Sequence, residues 1–452
     1  MFCNFAGGFM SDIKLSDHFP LRRLLRFTLP SIVMMIFTSV YYVVDGFFVS
    51  NYVGKTAFAA INFIYPFLGI LGAFGFMFGT GGSALIAKTM GEGDKKKANE
   101  IFSLIVYTTV GLAVFTAALG LIFLRPVATW LGAEGALLED CVTYGTVLLL
   151  ALPALMSQST FQSLFIAAEK PTLGLWVSVL AGFTNMGLDY LFLSVFDFGL
   201  VGAALASALS QVAGGVFPLI YFSRKNTSLL RLGRTHFDLK ALIKTCTNGI
   251  SELLSSLSLS LVSMLYNAQL LKYAGENGIA ANGVLMYVGF LFIAIYFGYG
   301  TGAAPVISYH FGAKNKKELH SLLKKSLLII SVCAATMYAA ALVLARPLSR
   351  FYVGYDEELL EMTVRGFFIY AATYLPCGFS IFASSFFTAL NDGFTSGILS
   401  FLRSCLFQVV CVLALPPLFG LDGIWAASVA AEMLAVSVTA FMFIKNKKKY
   451  GY

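Results

Sequence analysis

The sequence predicts an all-α membrane protein, in which twelve transmembrane helices form two six-helix lobes. Of its 452 residues, 58% are hydrophobic and only 12% are charged, with a mean hydropathy of +0.80. Soluble proteins carry roughly 45–50% apolar and about 25% charged residues. The apolar runs last twenty residues or more, which suits a membrane-spanning helix, whereas β-barrel strands would alternate over about ten residues. This composition excludes a disordered chain, a disulfide scaffold and an ordinary soluble enzyme.

Twelve apolar runs follow one another along the chain, and each predicts one spanning helix. The first run comes after a polar stretch at 11–20, so that Met10 is an alternative start to Met1. No two of the seven cysteines form a CxxC pair, and most of them lie in apolar runs. They are therefore interpreted as small core residues and not as metal ligands or disulfide partners. In chain order, the predicted spans are residues 27–49, 58–86, 101–124, 138–168, 172–196, 200–222, 246–273, 280–309, 322–345, 362–389, 394–418 and 423–444.

Lysine and arginine occur mainly in every second gap between these spans. One alternating set of gaps and tails holds twenty-four of them and the other set holds five, namely Lys55, Arg125, Lys272, Arg346 and Arg350. Because cytoplasmic loops carry the excess of basic residues, both termini are predicted to face the cytoplasm. The chain then divides into a cytoplasmic segment (1–26), an N-lobe (27–223), a basic linker (224–245), a C-lobe (246–444) and a basic tail (445–452). A multi-pass location in the bacterial plasma membrane is expected.

The two halves of the chain repeat one pattern at an offset of 221 residues. Gly-Thr-Gly at 79–81 returns at 300–302, Gly91 returns as Gly312, and Ser207 returns as Ser428. The Phe-Gly-Leu-Val-Gly sequence at 198–202 returns as Phe-Gly-Leu-Asp-Gly at 419–423. Since six spans are an even number, both halves insert in the same direction. The lobes are therefore expected to be related by a pseudo-twofold axis along the membrane normal, with a cavity between them.

Carboxylates inside the spans are the residues that carry chemistry. An ionised Asp at the bilayer centre costs about 2.5–3.5 kcal/mol, so such residues usually face a cavity and serve a function. Asp45, Asp189, Glu252 and Glu432 qualify, and Asn185 shares a helical face with Asp189 at i−4. Hard oxygen ligands suit a small cation, and a buried carboxylate also suits a proton. No phosphate-binding GxxxxGK[ST] motif and no metal-ligand spacing of the histidines is present, so neither an enzyme nor a cofactor is expected.

Each of these residues also has a structural interpretation, as a packing element paired with a polar neighbour. For Asp45 and Asp189 we favour coupling-ion binding, whereas for Glu252 and Glu432 both interpretations stay open. Arg403 is interpreted as the partner of one of these acids. Gln158, Ser159, Gln162 and Asn267 either line the substrate cavity or make polar contacts between helices. Among the aromatic residues, Tyr41, one turn before Asp45, is the candidate for the substrate cavity. The other candidates for this cavity are Glu252, Arg403 and Glu432.

Taken together, these stretches resemble the MATE (multidrug and toxic compound extrusion) family along nearly the whole chain. In the first half the similar stretches are Leu29-Pro30, Val44-Asp45-Gly46, Gly91-Glu92-Gly93-Asp94, Asn185 with Asp189, and the block at 198–202. The second half is similar to the MepA-like bacterial branch at residues 248–252, 264–267 and 308–312.

The resemblance implies a twelve-helix antiporter that exports cationic amphipathic compounds against inward H+ or Na+ flow. It implies an N-lobe cation site with Na+ ligands at Asp45, Asn185 and Asp189, joined by Gln162 and Ser207, where Gln162 replaces an Asn that is frequent in the family. It also implies a role for Glu252. The expected partners are organic cations and membrane lipid, without nucleic acid, and the chain is expected to be a monomer. A flippase for lipid-linked precursors and a non-transporting receptor or scaffold are the alternatives.

Overall fold

The helices account for nearly all of the chain in the computed structural model, which describes residues 13–53 and 55–452. No β-strand occurs within those ranges, and the predicted all-α fold is confirmed. The choice between Met1 and Met10 as the start concerns residues outside the described ranges.

The N-lobe contains six helices that match the first six predicted spans. Most of them extend one or more turns past the apolar run, because polar and basic residues continue the helix beyond the hydrocarbon. The fifth helix, Pro171–Asp189, continues into a π-helical turn, Tyr190–Val195, which completes the predicted fifth span. The helices are α1 (Leu21–Tyr52), α2 (Lys55–Gly91), α3 (Lys95–Trp130), α4 (Gly135–Ala167), α5 (Pro171–Asp189) and α6 (Gly199–Ser223).

The C-lobe contains eight helices, because two of its six predicted spans are divided. The chain turns sharply between the first two of them at Gly275, whose φ of 62° and ψ of −151° suit glycine. The helices are α7 (Leu239–Gly275), α8 (Asn277–Gly312), α9 (Lys316–Val353), α10 (Glu357–Ala371), α11 (Tyr374–Ala389), α12 (Gly393–Phe401), α13 (Phe407–Ala414) and α14 (Pro416–Tyr450).

The tenth predicted span is a broken helix, since α10 and α11 meet at an angle of 50°. Pro376 stands in the first turn of α11, where it cannot donate to the preceding turn, and the helix therefore restarts there. The eleventh span runs through α12, a π-helical turn at Leu402–Leu406 and α13. It ends at Ala414 rather than at the predicted 418, because Pro416 and Pro417 follow. Within the described residues, ten helices are long and apolar enough to cross a membrane, and the broken pair of α10 and α11 makes an eleventh span. The predicted fifth span, formed by α5 and its π-helical turn, brings the total to twelve.

The two lobes touch through glycines at the end of the bundle that carries most lysines, which we call the basic end. A Cβ on Gly91 would lie 2.0 Å from the backbone oxygen of Tyr309, and a Cβ on Gly312 would lie 2.1 Å from that of Lys88. The two contacts are reciprocal under the offset of 221 residues. The backbones of α2 and α8 therefore cross at the pseudo-twofold axis, at a distance that only glycine allows.

The hydrophobic core shows where the lobes join and where they part. The largest cluster contains residues of both lobes, and its N-lobe members all come from the basic half, for example Phe19, Phe102 and Phe222. The opposite half of the N-lobe has a cluster of its own around Leu149, and α7, α13 and α14 enclose another around Tyr266. The lobes therefore share one core at the basic end and have separate cores toward the opposite end.

Candidate functional site

The N-lobe brings its two membrane-embedded aspartates together in the half of the bundle away from the basic end. Asp45 lies seven residues before the end of α1, and Asp189 is the last residue of α5. Asn185, one turn earlier on α5, donates from its Nδ2 to Asp45 Oδ1 at 3.4 Å. Ser207, on α6, donates to the same carboxylate. Four of the five residues predicted for the cation site are therefore neighbours.

Asp189 is the least compensated member of this group. Its side chain is fully buried, and neither carboxylate oxygen has a hydrogen-bond donor among the described residues. Its carboxyl group interacts across the site with that of Asp45, which is only half-buried. An unpaired buried charge is costly, and two carboxylates at close range cannot both stay ionised without a counter-charge. This arrangement can take up a proton or a small cation through the side of Asp45.

Tyr144 of α4 completes the site and was missed by the sequence reasoning. Its hydroxyl lies within hydrogen-bonding reach of Ser207 and interacts with both carboxylates, although the residue is only 4% exposed. A buried Tyr usually places its hydroxyl against a polar partner. With 21 tyrosines in the chain, that rule alone could not have singled out this one.

Gln162 does not lie with the carboxylates, and this part of the prediction is wrong. It stands eighteen residues beyond Tyr144 on α4, which is about 27 Å along a helix. Its neighbour Phe161 stacks on Phe222 with the ring centroids 5.5 Å apart, and Phe222 lies fifteen residues beyond Ser207, about 22 Å farther along α6. Gln162 is therefore near the basic end, where its Oε1 is buried without a donor in the described part of the chain.

Gln158 and Ser159 were predicted to line the substrate cavity, and the structure buries them between helices instead. A Cβ on Gly214 of α6 would lie 2.6 Å from the side-chain carbon of Gln158, so that this amide packs directly on α6. Ser159 packs against Gly75 of α2 in the same manner and is 3% exposed. Their alternative interpretation, polar contact between packed helices, fits both residues.

The C-lobe contains a separate cluster of charged residues. Arg403, on the π-helical turn between α12 and α13, donates from Nη1 to Glu432 Oε1 at 3.3 Å. The Glu432 side chain is buried and that of Arg403 is 13% exposed, and Glu432 Oε2 has no donor among the described residues. Arg403 also interacts with Glu252 on α7. The prediction that Arg403 is the partner of an intramembrane acid is confirmed, and one guanidinium serves two carboxylates.

Glu252 lies between the lobes, where both of them contribute side chains. It lines a cavity of about 10 Å³, which is enough for one water molecule. Apart from Ala304, the other residues around this cavity all carry hydroxyl groups: Thr80, Ser83, Ser163, Thr301, Ser385 and Thr388. Glu252 can therefore exchange protons or small cations with water at this level.

Tyr266 in the C-lobe is the repeat partner of Asp45 in the N-lobe, because the two positions are 221 residues apart. Its hydroxyl donates to Gln408 Oε1 at 2.8 Å and lies 2.8 Å from Ser428 Oγ, the repeat partner of Ser207. The same scaffold therefore carries a carboxylate in one lobe and a neutral phenol in the other. Among the described residues, the candidate cation site of the N-lobe therefore has no carboxylate counterpart at this position of the C-lobe.

The two remaining predicted cavity residues are Tyr41, which lies near the N-lobe carboxylates, and Asn267, which does not. Tyr41 is half-buried and packs against Gly182 of α5, one turn from Asp45. Asn267 is exposed on α7, and it lies fifteen residues, about 22 Å, from Glu252. In the part of the chain that the structure describes, no hydrogen bond joins Asn267 to either charged cluster.

Comparison with known proteins gives a consistent result for family and fold. The MatE family model matches residues 30–191 and 253–413. The multidrug export protein MepA of Staphylococcus haemolyticus (strain JCSC1435) is 24% identical over 420 residues, which cover 92% of this chain and 91% of that protein. MepA of Staphylococcus aureus (strain NCTC 8325 / PS 47) is 23% identical over 427 residues, covering 94% and 93% of the two chains.

Two solved structures are similar over almost the whole chain. One is a crystal structure of MATE in complex with MaL6, and the other is the outward-facing conformation of a multidrug resistance MATE family transporter of the MOP superfamily. Each has a TM-score of 0.90 and 23% identity, and each comparison covers 96% of this chain and 98% of the other. The likeness confirms the predicted fold of two six-helix lobes.

Proposed function

The chain belongs to the MatE family, it is a membrane-embedded multidrug efflux transporter, and we propose that it exchanges cationic amphipathic compounds for H+ or Na+ by alternating access. The family and the relatives are transporters, and we assign this chain no enzymatic activity and no cofactor. Its substrates are small organic cations drawn from the cytoplasm or the membrane.

The pair of Asp45 and Asp189 is the observation that carries this proposal. Asp189 is fully buried, and the described residues offer its oxygens no donor other than the neighbouring carboxyl group of Asp45, which can donate only when it is protonated. Such a pair keeps a strong demand for positive charge, because no positively charged side chain among the described residues is paired with it. A proton or Na+ that enters past Asp45 satisfies the demand, and a cationic substrate competes for the same charge.

The membrane potential gives this competition a direction. One elementary charge that moves inward through 100 mV releases about 2.3 kcal/mol, which corresponds to roughly fiftyfold accumulation of a neutral substrate on the other side. Exchange of one proton for one monovalent organic cation moves no net charge. In that case the chemical gradient of the coupling ion is the only driving force.

The way in which the lobes meet supports the proposal of alternating access. By the positive-inside rule we assign the basic end to the cytoplasm. The lobes share their core at that end and have separate cores at the other. We therefore assign this conformation to the outward-facing state. The inward-facing state requires the backbone contacts at Gly91 and Gly312 to part.

The C-lobe cluster favours a cationic over an anionic substrate. A flippase for lipid-linked precursors needs unpaired positive charge for a pyrophosphate, but Arg403 is paired with Glu432 and also faces Glu252. Two carboxylates against one guanidinium would repel a pyrophosphate. A receptor or scaffold would bear the cost of the buried N-lobe carboxylates without needing them to bind an ion, and this argues against that alternative.

We place the chain in the bacterial plasma membrane as a monomer, with both termini in the cytoplasm. The described ends support the same side for both, because Tyr450 donates to Asp392 in the loop before α12, and Phe19 donates to Glu318 at the start of α9. Both of those acceptors lie at the basic end.

The test is dye efflux from proteoliposomes under separately imposed pH and Na+ gradients. The variant Asp45→Asn should lose gradient-driven export of a cationic dye, because an amide cannot exchange a charge. Asp197→Asn is a matched control, since Asp197 is an exposed carboxylate in the loop between α5 and α6. Export at the wild-type rate by Asp45→Asn would remove Asp45 from the mechanism. The gradient that drives wild-type export identifies the coupling ion.

A further inference from the structure

Residues 13–20 precede α1 and form an ordered segment, which we call the strap. Within the N-lobe it is held twice. Asp17 pairs with Arg23 of α1 at 3.1 Å and accepts the backbone N–H of Lys14 at 3.0 Å. The backbone N–H of Leu15 donates to Glu169 Oε1, after α4, at 2.7 Å. The strap is therefore tied to the N-lobe independently of its covalent connection to α1.

The strap also binds the C-lobe, chiefly through one carboxylate. Glu318 in the first turn of α9 uses both of its oxygens: Oε1 accepts the backbone N–H of Phe19 at 3.0 Å, and Oε2 lies 2.6 Å from His18 Nδ1. Lys325, two turns later on α9, donates to the backbone oxygen of Phe19. On α8, His310 Nε2 lies 3.2 Å from the backbone oxygen of Asp17.

The apolar side chains of the strap lie in the core that the two lobes share. Leu15 and Phe19 are both fully buried. The ring of Phe19 makes edge contacts with Phe27 of α1 and His310 of α8, at centroid distances of 5.8 and 6.3 Å. One short segment thus joins α1 to α8 and α9 by apolar and charge-assisted contacts at the cytoplasmic mouth.

We propose that the strap is a latch between the lobes, which stabilises the state that is closed at the basic end. Opening at that end moves α9 away from α1, and the strap, tied to the N-lobe by Arg23 and Glu169, must then release Glu318. Hydrogen bonds to a carboxylate are roughly twice as strong as neutral ones. This proposal rests on the proposed alternating access. It assigns to Glu318 a role in stabilising the closed state, so that loss of its carboxylate favours the inward-open state.

The experiment measures the distance across the cytoplasmic mouth by double electron–electron resonance on the full chain in nanodiscs. Spin labels are placed at Lys96→Cys and Lys317→Cys in a cysteine-free background; both positions are exposed, and they are repeat partners on the two lobes. Glu318→Gln should raise the ratio of long to short distances about five- to tenfold, because the charged acceptor is lost. Glu92→Gln is the control, since Glu92 pairs with Lys88 of its own lobe at 3.4 Å.

Lys325→Gln removes a second contact of the strap from a different residue and should shift the ratio in the same direction. This variant decides the matter if Glu318→Gln does not fold. Distances that stay as in the wild type in whichever of the two variants folds would overturn the latch. That result would leave transport untouched, because dye efflux and the Asp45→Asn variant test the proposed function by a separate readout.

Discussion

A methyl group placed between the lobes should weaken the contact that closes the basic end. Gly249 of α7 faces α2 so closely that a Cβ there would lie 1.9 Å from the backbone oxygen of Met77 and 2.7 Å from its carbonyl carbon. Real Cβ contacts are essentially never shorter than 3.0 Å. The substitution Gly249→Ala therefore requires α2 and α7 to move apart by about 1.1 Å. No side-chain rotation relieves the clash, because the opposing atoms belong to the backbone.

The cost of this clash can be placed on a scale. Overpacking of a close-packed interface costs about 1–3 kcal/mol, which changes a two-state equilibrium about 5- to 150-fold. The higher helix propensity of alanine, worth about 1 kcal/mol, applies to both conformations and cancels from their ratio. The clash exists only while α2 and α7 are in contact. The variant should therefore shift the population toward the inward-open state.

The assay is the spin-label distance between positions 96 and 317 described above. The matched control is Gly283→Ala on α8, where a Cβ would meet no atom within 4 Å. It changes glycine to alanine in a helix of the same lobe without creating a contact. If Gly249→Ala and Gly283→Ala gave the same distance distribution, the reasoning that glycine contacts close the cytoplasmic end would be refuted.

Two further outcomes are expected. Tyr144→Phe removes one hydroxyl from the N-lobe site and keeps the side-chain volume. The coupling-ion concentration for half-maximal dye efflux should therefore rise about three- to tenfold, at an unchanged melting temperature. An unchanged ion dependence would show that Tyr144 has no part in the site. At Asp392, burial opposes ionisation, but hydrogen bonds from Tyr450, Thr395 and Lys449 outweigh it and hold the pKa below the ordinary 3.8. A carboxyl group with a lowered pKa in the folded state stabilises the fold at a pH above 3.8, and this gain is lost as the pH falls through the lowered pKa. Asp392→Asn should therefore have a lower melting temperature than the wild type at pH 7, and the two temperatures should converge in acid. A difference that persists at low pH would contradict this.

The sequence predicted the N-lobe site from residues that are adjacent on their own helices. Asn185 and Asp189 share a face at a spacing of four residues, and Asp45 is costly in the membrane wherever its helix lies. These are local properties, and the structure brings the three side chains together. Ser207 joined the prediction by family resemblance, and it also lies in the site.

The failures concern residues whose role depends on the level at which helices meet. Gln162 and Tyr144 are both polar residues of α4, and either could face Asp189 if only the sequence of α4 is considered. The contact of Phe161 with Phe222 aligns α4 and α6. That alignment puts Tyr144 beside the carboxylates and puts Gln162 near the opposite end of the bundle.

The amino-acid sequence by itself determined the helices, the repeat and the acidic residues that need a function. It could do so because hydrocarbon requires apolar runs of about twenty residues with internally satisfied backbones, which is a local condition. Only the tertiary structure decided which polar side chains meet, how α10 and α11 bend, and that residues 13–20 connect the lobes through Glu318. A long helix presents polar groups at several depths, and the packing of its neighbours selects among them.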